Sequence, residues 1–433
     1  MNLRFAMEDK TMNQIVRRFL LPMCLLLLLP ALVLAAEKSG QVEDPLPAAF
    51  AEFTEQLKAA SERIQQFSAY GSEAERIGAY RHILRSTVKS IQADIIQDAD
   101  FPYFRILDFW AREGGDNPDQ LYSFSPMRGA ESYRIWGQLG SARRVEIQLY
   151  AGEPWDGTGR SAGFLPFEEI QIDEQGNFEI FVTPEKRLGN WLQNPEDTTT
   201  VFVRHIYDQW NADQTGQVHI DRIGYEGKRR RTETAQELAY RLGAAAKNLK
   251  KTAIGWPTFV DQRYTQAAAP NTLSALVDTY TLGGVKGRWM ANGYFELPPG
   301  KALIVKSWPT KAAYQAIQLT DMWFASMEYG NRVSSLNSTQ SLLSPDGAYY
   351  YVISTEDPGH ANWLDAENLH RGVILMRFDG VLGDIPRELQ PTTELVDLSD
   401  LPNKIPAYSA VNEIQRERVR AERRHHLQLR SGR

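Results

Sequence analysis

Cysteine is almost missing from this sequence: Cys24 is the one example in 433 residues. A chain so poor in thiols has no disulfide framework and no cysteine-ligated metal, so its core must hold it together. A surplus of positive charge is missing too, because 48 Lys and Arg stand against 54 Asp and Glu for a net charge of -6. Phosphate backbones call for a basic face, and no nucleic acid partner is expected. The His-Glu-x-x-His and Asp-rich calcium-loop spacings do not occur, so the expectation is a protein without metal or cofactor.

Long apolar runs are also missing, with one exception. Arg17 and Arg18 precede an apolar stretch from Phe19 that ends in Ala35-Ala36, the layout of a secretory leader over residues 1–36. Pro22 and Pro30 inside the run favour cleavage, and Met12 is the more natural start because the charges then lead directly into the run. The expected location is outside the cytoplasm, in the periplasm. The alternative is an inner-membrane anchor through 19–36, which would be the protein's one membrane contact.

What the sequence does contain is periodic. After the linker "SGQVEDPLP", Phe50, Phe53, Leu57, Ala60, Ile64 and Phe67 recur at steps of three and four, which is one apolar face of a helix. Ser72 and Glu75 have the spacing of a capping box, and Ile77, Tyr80, Leu84, Val88, Ile91 and Ile95 continue as a second stripe. An N-terminal helical segment is therefore placed at 37–100. From 101 to 231, short Val, Ile, Tyr and Phe runs alternate with Gly, Pro and Asp turns, as in a β-sandwich. A helical linker follows at 232–285, a second β-sandwich at 286–390, and a basic tail, helical towards its end, at 391–433. The fold class is mainly β with added helices, built as two tandem jelly-roll-like sandwiches.

The two β regions repeat each other. Gln148 matches Gln318 at an offset of 170, "GNFEIFVTPE" matches "GAYYYVISTE" at 171, Asn190-Trp191-Leu192 matches Asn362-Trp363-Leu364 at 172, and Arg204 matches Arg377 at 173. A drift of only three positions over that span marks a duplication. Residues present in both copies then read first as scaffold: Asn190 and Asn362 as turn residues, Trp191 and Trp363 as core aromatics, Arg204 and Arg377 as strand residues ion-paired or bonded to a turn carbonyl. As a ligand site, Trp191, Arg204, Trp363 and Arg377 would line a groove for a small molecule or glycan, and ten Trp and eighteen Tyr leave aromatic side chains for stacking.

The second copy differs around its Asn-Trp-Leu triplet. Glu356, Asp357, His360, Asp365, Glu367 and His370 crowd one stretch, 356–370, where carboxylates and imidazoles would support acid–base chemistry. Asp357 and Asp365 are the acid and base candidates of a hydrolase or lyase, with His360 as proton carrier. The plainer alternative is a polar surface loop with an Asp-Pro-Gly turn. "GRSAG" matches the nucleophile elbow around Ser161, but the flanks read as turn then strand instead of strand then helix. Alternation sends Arg204 and His205 to opposite faces of one strand. The basic runs "GKRRR" and "QRERVRAERRHHLQLR" read as solvated helix ends.

Taken in order, "GGDNPDQLYSFSPMRGAESYRIWGQLG", "GNWL", "VRHIYDQW", "GYFELPPGKALIV" and "DPGHANWLD" resemble bacterial proteins pairing the domains of unknown function 1254 and 1214. The resemblance covers about residues 75 to 385 and is clearest in the C-terminal half. It implies two jelly-roll sandwiches with added helices, often exported, and it implies no reaction. Asp365 stands where the commoner family ending has Pro. Two functions remain beside the small-molecule or glycan binder: the hydrolase or lyase above, and a structural envelope protein whose sandwiches assemble as a homo-oligomer.

Overall fold

The computed structural model describes residues 43–153, 158–211, 214–280 and 284–431; the leader reading at 1–36 lies outside them. Helix α1 (Leu46–Ile64) buries Phe53, Ala60 and Ile64, three members of the expected stripe. Phe53 and Ala60 pack on Ala245, Ala246, Leu249 and Ala253 of α3 (Ala235–Val260), where small residues let the helices approach closely. Both α2 (Glu73–Ser90) and α3 begin with a capping box, Ser72 with Glu75 and Thr234 with Glu237, each satisfying two orphan backbone donors. No helix among the described residues is long and apolar enough to cross a membrane.

Helix α2 departs from its sequence pattern. Ile77, Tyr80, Leu84 and Val88, expected to face the core, are 47%, 43%, 62% and 47% exposed. The buried face carries Glu75, Ala79, His82, Ile83, Ser86 and Ser90 instead. The cause lies in what α2 packs against. Trp323 donates its indole N–H to the Glu75 carbonyl at 2.9 Å and stacks on the His82 ring, while His82 Nε2 meets the Ala253 carbonyl at 3.1 Å. A polar helix face whose groups find partners in the surface it meets can be buried as an apolar one is, and here the Trp323 indole and His82 Nε2 do. Only the end of the stripe, Ile91 and Ile95, packs against the α1–α3 core.

Nineteen strands among the described residues form four sheets. In the first sandwich one sheet runs β1 (Arg105–Leu107), β2 (Gln120–Pro126), β8 (Thr200–Ile206), β4 (Arg144–Ala151), β5 (Arg160–Leu165). Its mate runs β7 (Asn190–Gln193), β6 (Asn177–Thr183), β3 (Tyr133–Gln138), β9 (Gln217–Arg222). In the second sandwich the corresponding orders are β10 (Thr272–Leu273), β12 (Trp289–Glu296), β18 (Arg371–Asp379), β14 (Tyr314–Thr320), β15 (Ser335–Asn337) and β17 (Trp363–Asp365), β16 (Tyr349–Ser354), β13 (Lys301–Ser307), β19 (Thr392–Asp397). A short β11 (Val277–Asp278) also pairs with β12. The strand orders of the two copies coincide, and so does an unusual detail, a parallel pairing that sets Trp191 beside Phe181 and Trp363 beside Val352. The second sandwich runs past its expected limits of 286 and 390, taking in β10, β11 and β19.

Each sandwich has its own core, Ile135, Ile147, Val182 and Val203 in the first and Val305, Ile317, Tyr351 and Met376 in the second. The other faces of β4, β8, β14 and β18 are buried as well, because the two sandwiches meet there. Ile206, Tyr314 and Ala316 pack across this seam, and Arg288 bridges Glu146 and Asp379. The connector "GGDNPD" threads the junction: Asp119 accepts from Tyr314, Trp210 and Asn337, and Asp116 accepts from the Ser326 N–H and hydroxyl. Gly115 has φ +65°, and a Cβ there would lie 2.8 Å from the Phe324 ring.

After α4 (Leu401–Lys404), helix α5 (Glu413–Arg430) closes the chain, and it is not the solvated tail its basic run implied. Arg416, Arg423 and Arg430 are buried, donating to the carbonyls of His360, of Tyr329 and Ser335, and of Pro118. Long aliphatic stems with hydrogen-bonded heads let a basic helix dock without an apolar face.

Candidate functional site

The acidic stretch of the second copy does not form one constellation. Asp357 receives two bonds from Arg416, at 2.9 and 3.0 Å. The His360 ring is buried beside Tyr408, with Nε2 3.2 Å from the Tyr350 carbonyl, and burial, aided by Arg416, lowers its pKa so that it stays neutral. Asp365 is held by Arg332 at 2.8 Å, while its other oxygen accepts the Glu367 N–H at 2.9 Å. Among the described residues no hydrogen bond or ion pair links these three side chains to one another.

The four ligand candidates separate as well. Trp191 and Trp363 belong to the sheets remote from the seam, where their indoles bond Thr183 Oγ1 and the Ser354 carbonyl. Arg204 and Arg377 lie on the seam, so the four do not line a common groove. The two Asn residues are scaffold: Asn190 accepts from and donates to the backbone of Gln171, and Asn362 does the same with Leu342. Ser161 lies inside strand β5, accepting from Gln148, and the strand runs on to Leu165 before a short 3-10 turn at Phe167–Glu169, so the serine is not on a strand-to-helix elbow. Arg204 and His205 do face opposite ways, His205 near Phe178 in the sandwich and Arg204 at the seam. Arg230 and Arg231 of the basic run line a cleft of about 450 Å³ with their carboxylate partners Asp98 and Glu237.

A different set of groups does converge. Asp365 shapes the turn after β17, where Glu367 and Asn368 take φ values of +54° and +61°. Two successive non-glycine residues in the left-handed region are costly, and such strain collects at functional sites. The turn points Glu367 at the 321–332 loop, where its carboxylate accepts the Glu328 N–H. Burial, with Asp321 and Glu328 adding repulsion against the attraction of Arg112, pushes the Glu367 carboxyl up to about 7. Asp321 is also pushed up by burial, against hydrogen bonds from Ala325 and the charges of Arg85 and Arg112.

Arg112 is 8% exposed; it lies over the Phe109 ring, donates to the Ser326 carbonyl at 2.8 Å, and leaves Nε buried without an acceptor. Arg85, half-buried on α2, lies in the field of Arg112, Asp321 and Asp116. Among the described residues it has no hydrogen bond or ion pair. Burial, reinforced by Arg112, lowers its pKa. Around Arg112 and Asp321 the structure thus carries one unengaged guanidinium, Arg85, and one carboxyl, Glu367, that exchanges its proton near neutrality. Among the described residues no three His, Asp or Glu side chains gather as a metal site would require.

Glu367 belongs to the acidic stretch visible in the sequence; Arg85, Arg112 and Asp321 do not, and come from three separate segments. Among solved structures, the chain is similar to an uncharacterised protein from Burkholderia cenocepacia at 24% identity, TM-score 0.74, covering 81% of this chain and 97% of that one. A Vibrio parahaemolyticus protein matches at 13% identity and TM-score 0.42, covering 73% of this chain and 98% of that one. The first of these supports the fold alone. No family profile and no curated protein matches the sequence.

Proposed function

We propose that this is an exported small-molecule-binding protein whose ligand is a small organic anion seated against Arg85. The lack of any hydrogen-bond or ion-pair partner for Arg85 among the described residues carries the reading. A guanidinium binds a carboxylate through two parallel bonds, which selects an acid over a neutral sugar. The leader-like segment 1–36 supports export, and the motif resemblance supports kinship with the paired domains of unknown function 1254 and 1214.

The test is calorimetric titration of a panel of small mono- and dicarboxylates, sugar acids and neutral sugars against the wild type and Arg85→Gln. The expected result is heat from one class of acid with the wild type and loss of affinity of at least tenfold in the variant. Binding of neutral sugars that Arg85→Gln leaves untouched would sink the reading. A second reading is a lyase or hydrolase with Glu367 as general acid and base, favoured by its carboxyl titrating near neutrality beside Asp321. A ligand from the panel that is turned over by the wild type and merely bound by Glu367→Gln would establish it.

A further inference from the structure

The seam between the sandwiches buries four guanidinium groups, Arg144, Arg204, Arg288 and Arg377, each at most 8% exposed. The carboxylates facing them are fewer. Arg288 takes Asp379 at 2.5 and 2.8 Å and reaches Glu146 at 3.4 Å; Arg144 takes the half-exposed Glu168 at 2.5 Å and lies 3.7 Å from Glu146. Arg204 and Arg377, which occupy equivalent positions on β8 and β18, have no carboxylate within 4 Å among the described residues. Arg377 is bonded to neutral acceptors, Gln318 Oε1 and the Gly115 carbonyl. Arg204 donates once, to the Tyr150 hydroxyl at 3.2 Å, and lies 3.7 Å over the Phe202 ring; its Nη1 is buried without an acceptor.

Removing a guanidinium from water without a bonded counter-charge is expensive, and Arg204 and Arg377 feel Glu146 and Asp379 only from beyond ion-pair distance. Glu146, opposite Arg204 in the β4–β8 register, is shared among Arg288, Arg204 and Arg144, and burial raises its own pKa, which weakens its hold as a counter-charge. Tyr122 marks where the field converges. Burial raises its pKa, and Arg377, Arg288 and Arg204 all act against that rise. Its oxygen accepts the Asn117 N–H at 2.8 Å, and its own hydrogen goes to no acceptor among the described residues. Two donors without acceptors, Arg204 Nη1 and the Tyr122 hydroxyl, thus belong to one positively charged, water-poor space.

We propose that a small inorganic anion of halide size completes this seam, held by Arg204 Nη1 and the Tyr122 hydroxyl. The packing of Ile206, Tyr314 and Ala316 across the seam favours an ion over an organic molecule. Bound there, the anion makes the junction of the two sandwiches part of one cooperative unit.

The experiment is thermal unfolding of the purified chain in sodium chloride, bromide and nitrate against sodium gluconate at matched ionic strength. A bound anion adds stability by mass action, so the small anions should raise Tm with the logarithm of their concentration, by about 3 °C at a hundredfold excess over Kd. Arg204→Gln should lose that dependence and Arg85→Gln should keep it, which separates this site from the ligand proposed at Arg85. If Arg204→Gln does not fold, bromide-soaked crystals of the wild type decide the matter. An anomalous peak in hydrogen-bond contact with Arg204 Nη1 supports the proposal, and an empty seam overturns it. Equal Tm in all four salts overturns it as well.

Discussion

Replacing Glu367 by Gln should make the protein more stable than the wild type above pH 7, and by less and less as the pH falls. In the folded chain the carboxyl keeps its proton up to about 7, against an ordinary value of 4.5. Between those two values the folded state holds a proton that the unfolded state has released. Stability therefore falls as pH rises through that window, and the loss is complete above the folded value. The full gap corresponds to about 3 kcal/mol, an upper limit because local opening around a half-buried side chain relieves part of it. Gln keeps an acceptor for the Glu328 N–H and carries no charge, so the variant lacks this slope. Urea midpoints of both proteins, measured across about pH 5 to pH 8, give the difference curve directly. A difference that stays flat with pH, or one that grows towards acid, would refute the argument that Glu367 is a buried carboxyl beside Asp321 and Glu328.

Arg416→Ala should cost about 2–4 kcal/mol, because it frees a buried carbonyl at His360 and undocks α5, while Asp357→Asn should cost under about 1 kcal/mol at its more exposed end of the pair; equal losses in urea midpoints would show that the ion pair, not the carbonyl clamp, is what matters. Asn190→Ala and Asn362→Ala should each cost about 1–3 kcal/mol, since the first removes bonds to the Gln171 N–H and to the Gln171 and Glu179 carbonyls, and the second removes bonds to the Leu342 N–H and carbonyl. A neutral result at either position would break the equivalence of the two copies there. Leu84→Gln should change stability by no more than about 0.5 kcal/mol, measured by the same denaturation, because the side chain is 62% exposed.

The duplication was legible because each sandwich must bury one face of every strand, so the alternation and the turns recur wherever the same topology is built. Helix α1 was legible for the same reason, as were the capping boxes, whose chemistry is local. The orientation of α2 was not. Periodicity assigns the apolar side to the core, and nothing in Ile77, Tyr80, Leu84 and Val88 reveals that the partner surface carries Trp323, Asp321 and Asp116. The seam was hidden in a related way. Arg144, Glu146 and Gln148 alternate with Val145, Ile147 and Leu149 as solvent-facing residues would, yet all of β4 is buried. Likewise Glu367 was visible as one acidic residue among several, while the arginines that give it meaning lie more than two hundred residues earlier in the chain.

The parallel registers say how a duplicated scaffold came to differ at this point. Thr183 pairs with Gln193 in the first copy, and Ser354 pairs with Asp365 in the second, so Gln193 and Asp365 occupy the same place after the triplet. Gln193 is exposed, and the chain beyond it goes on to Asn194, whose N–H bonds the Thr183 carbonyl. Asp365 is buried; its shorter carboxylate accepts the N–H two residues on and draws the chain into the left-handed turn that presents Glu367. Arg332 then neutralises it from the same 321–332 loop that Glu367 meets. One side chain at a scaffold position therefore separates a plain turn from one that aims a proton-exchanging group inward. Asp365 acts in this arrangement as a positioning residue, with the acid–base capacity residing in Glu367.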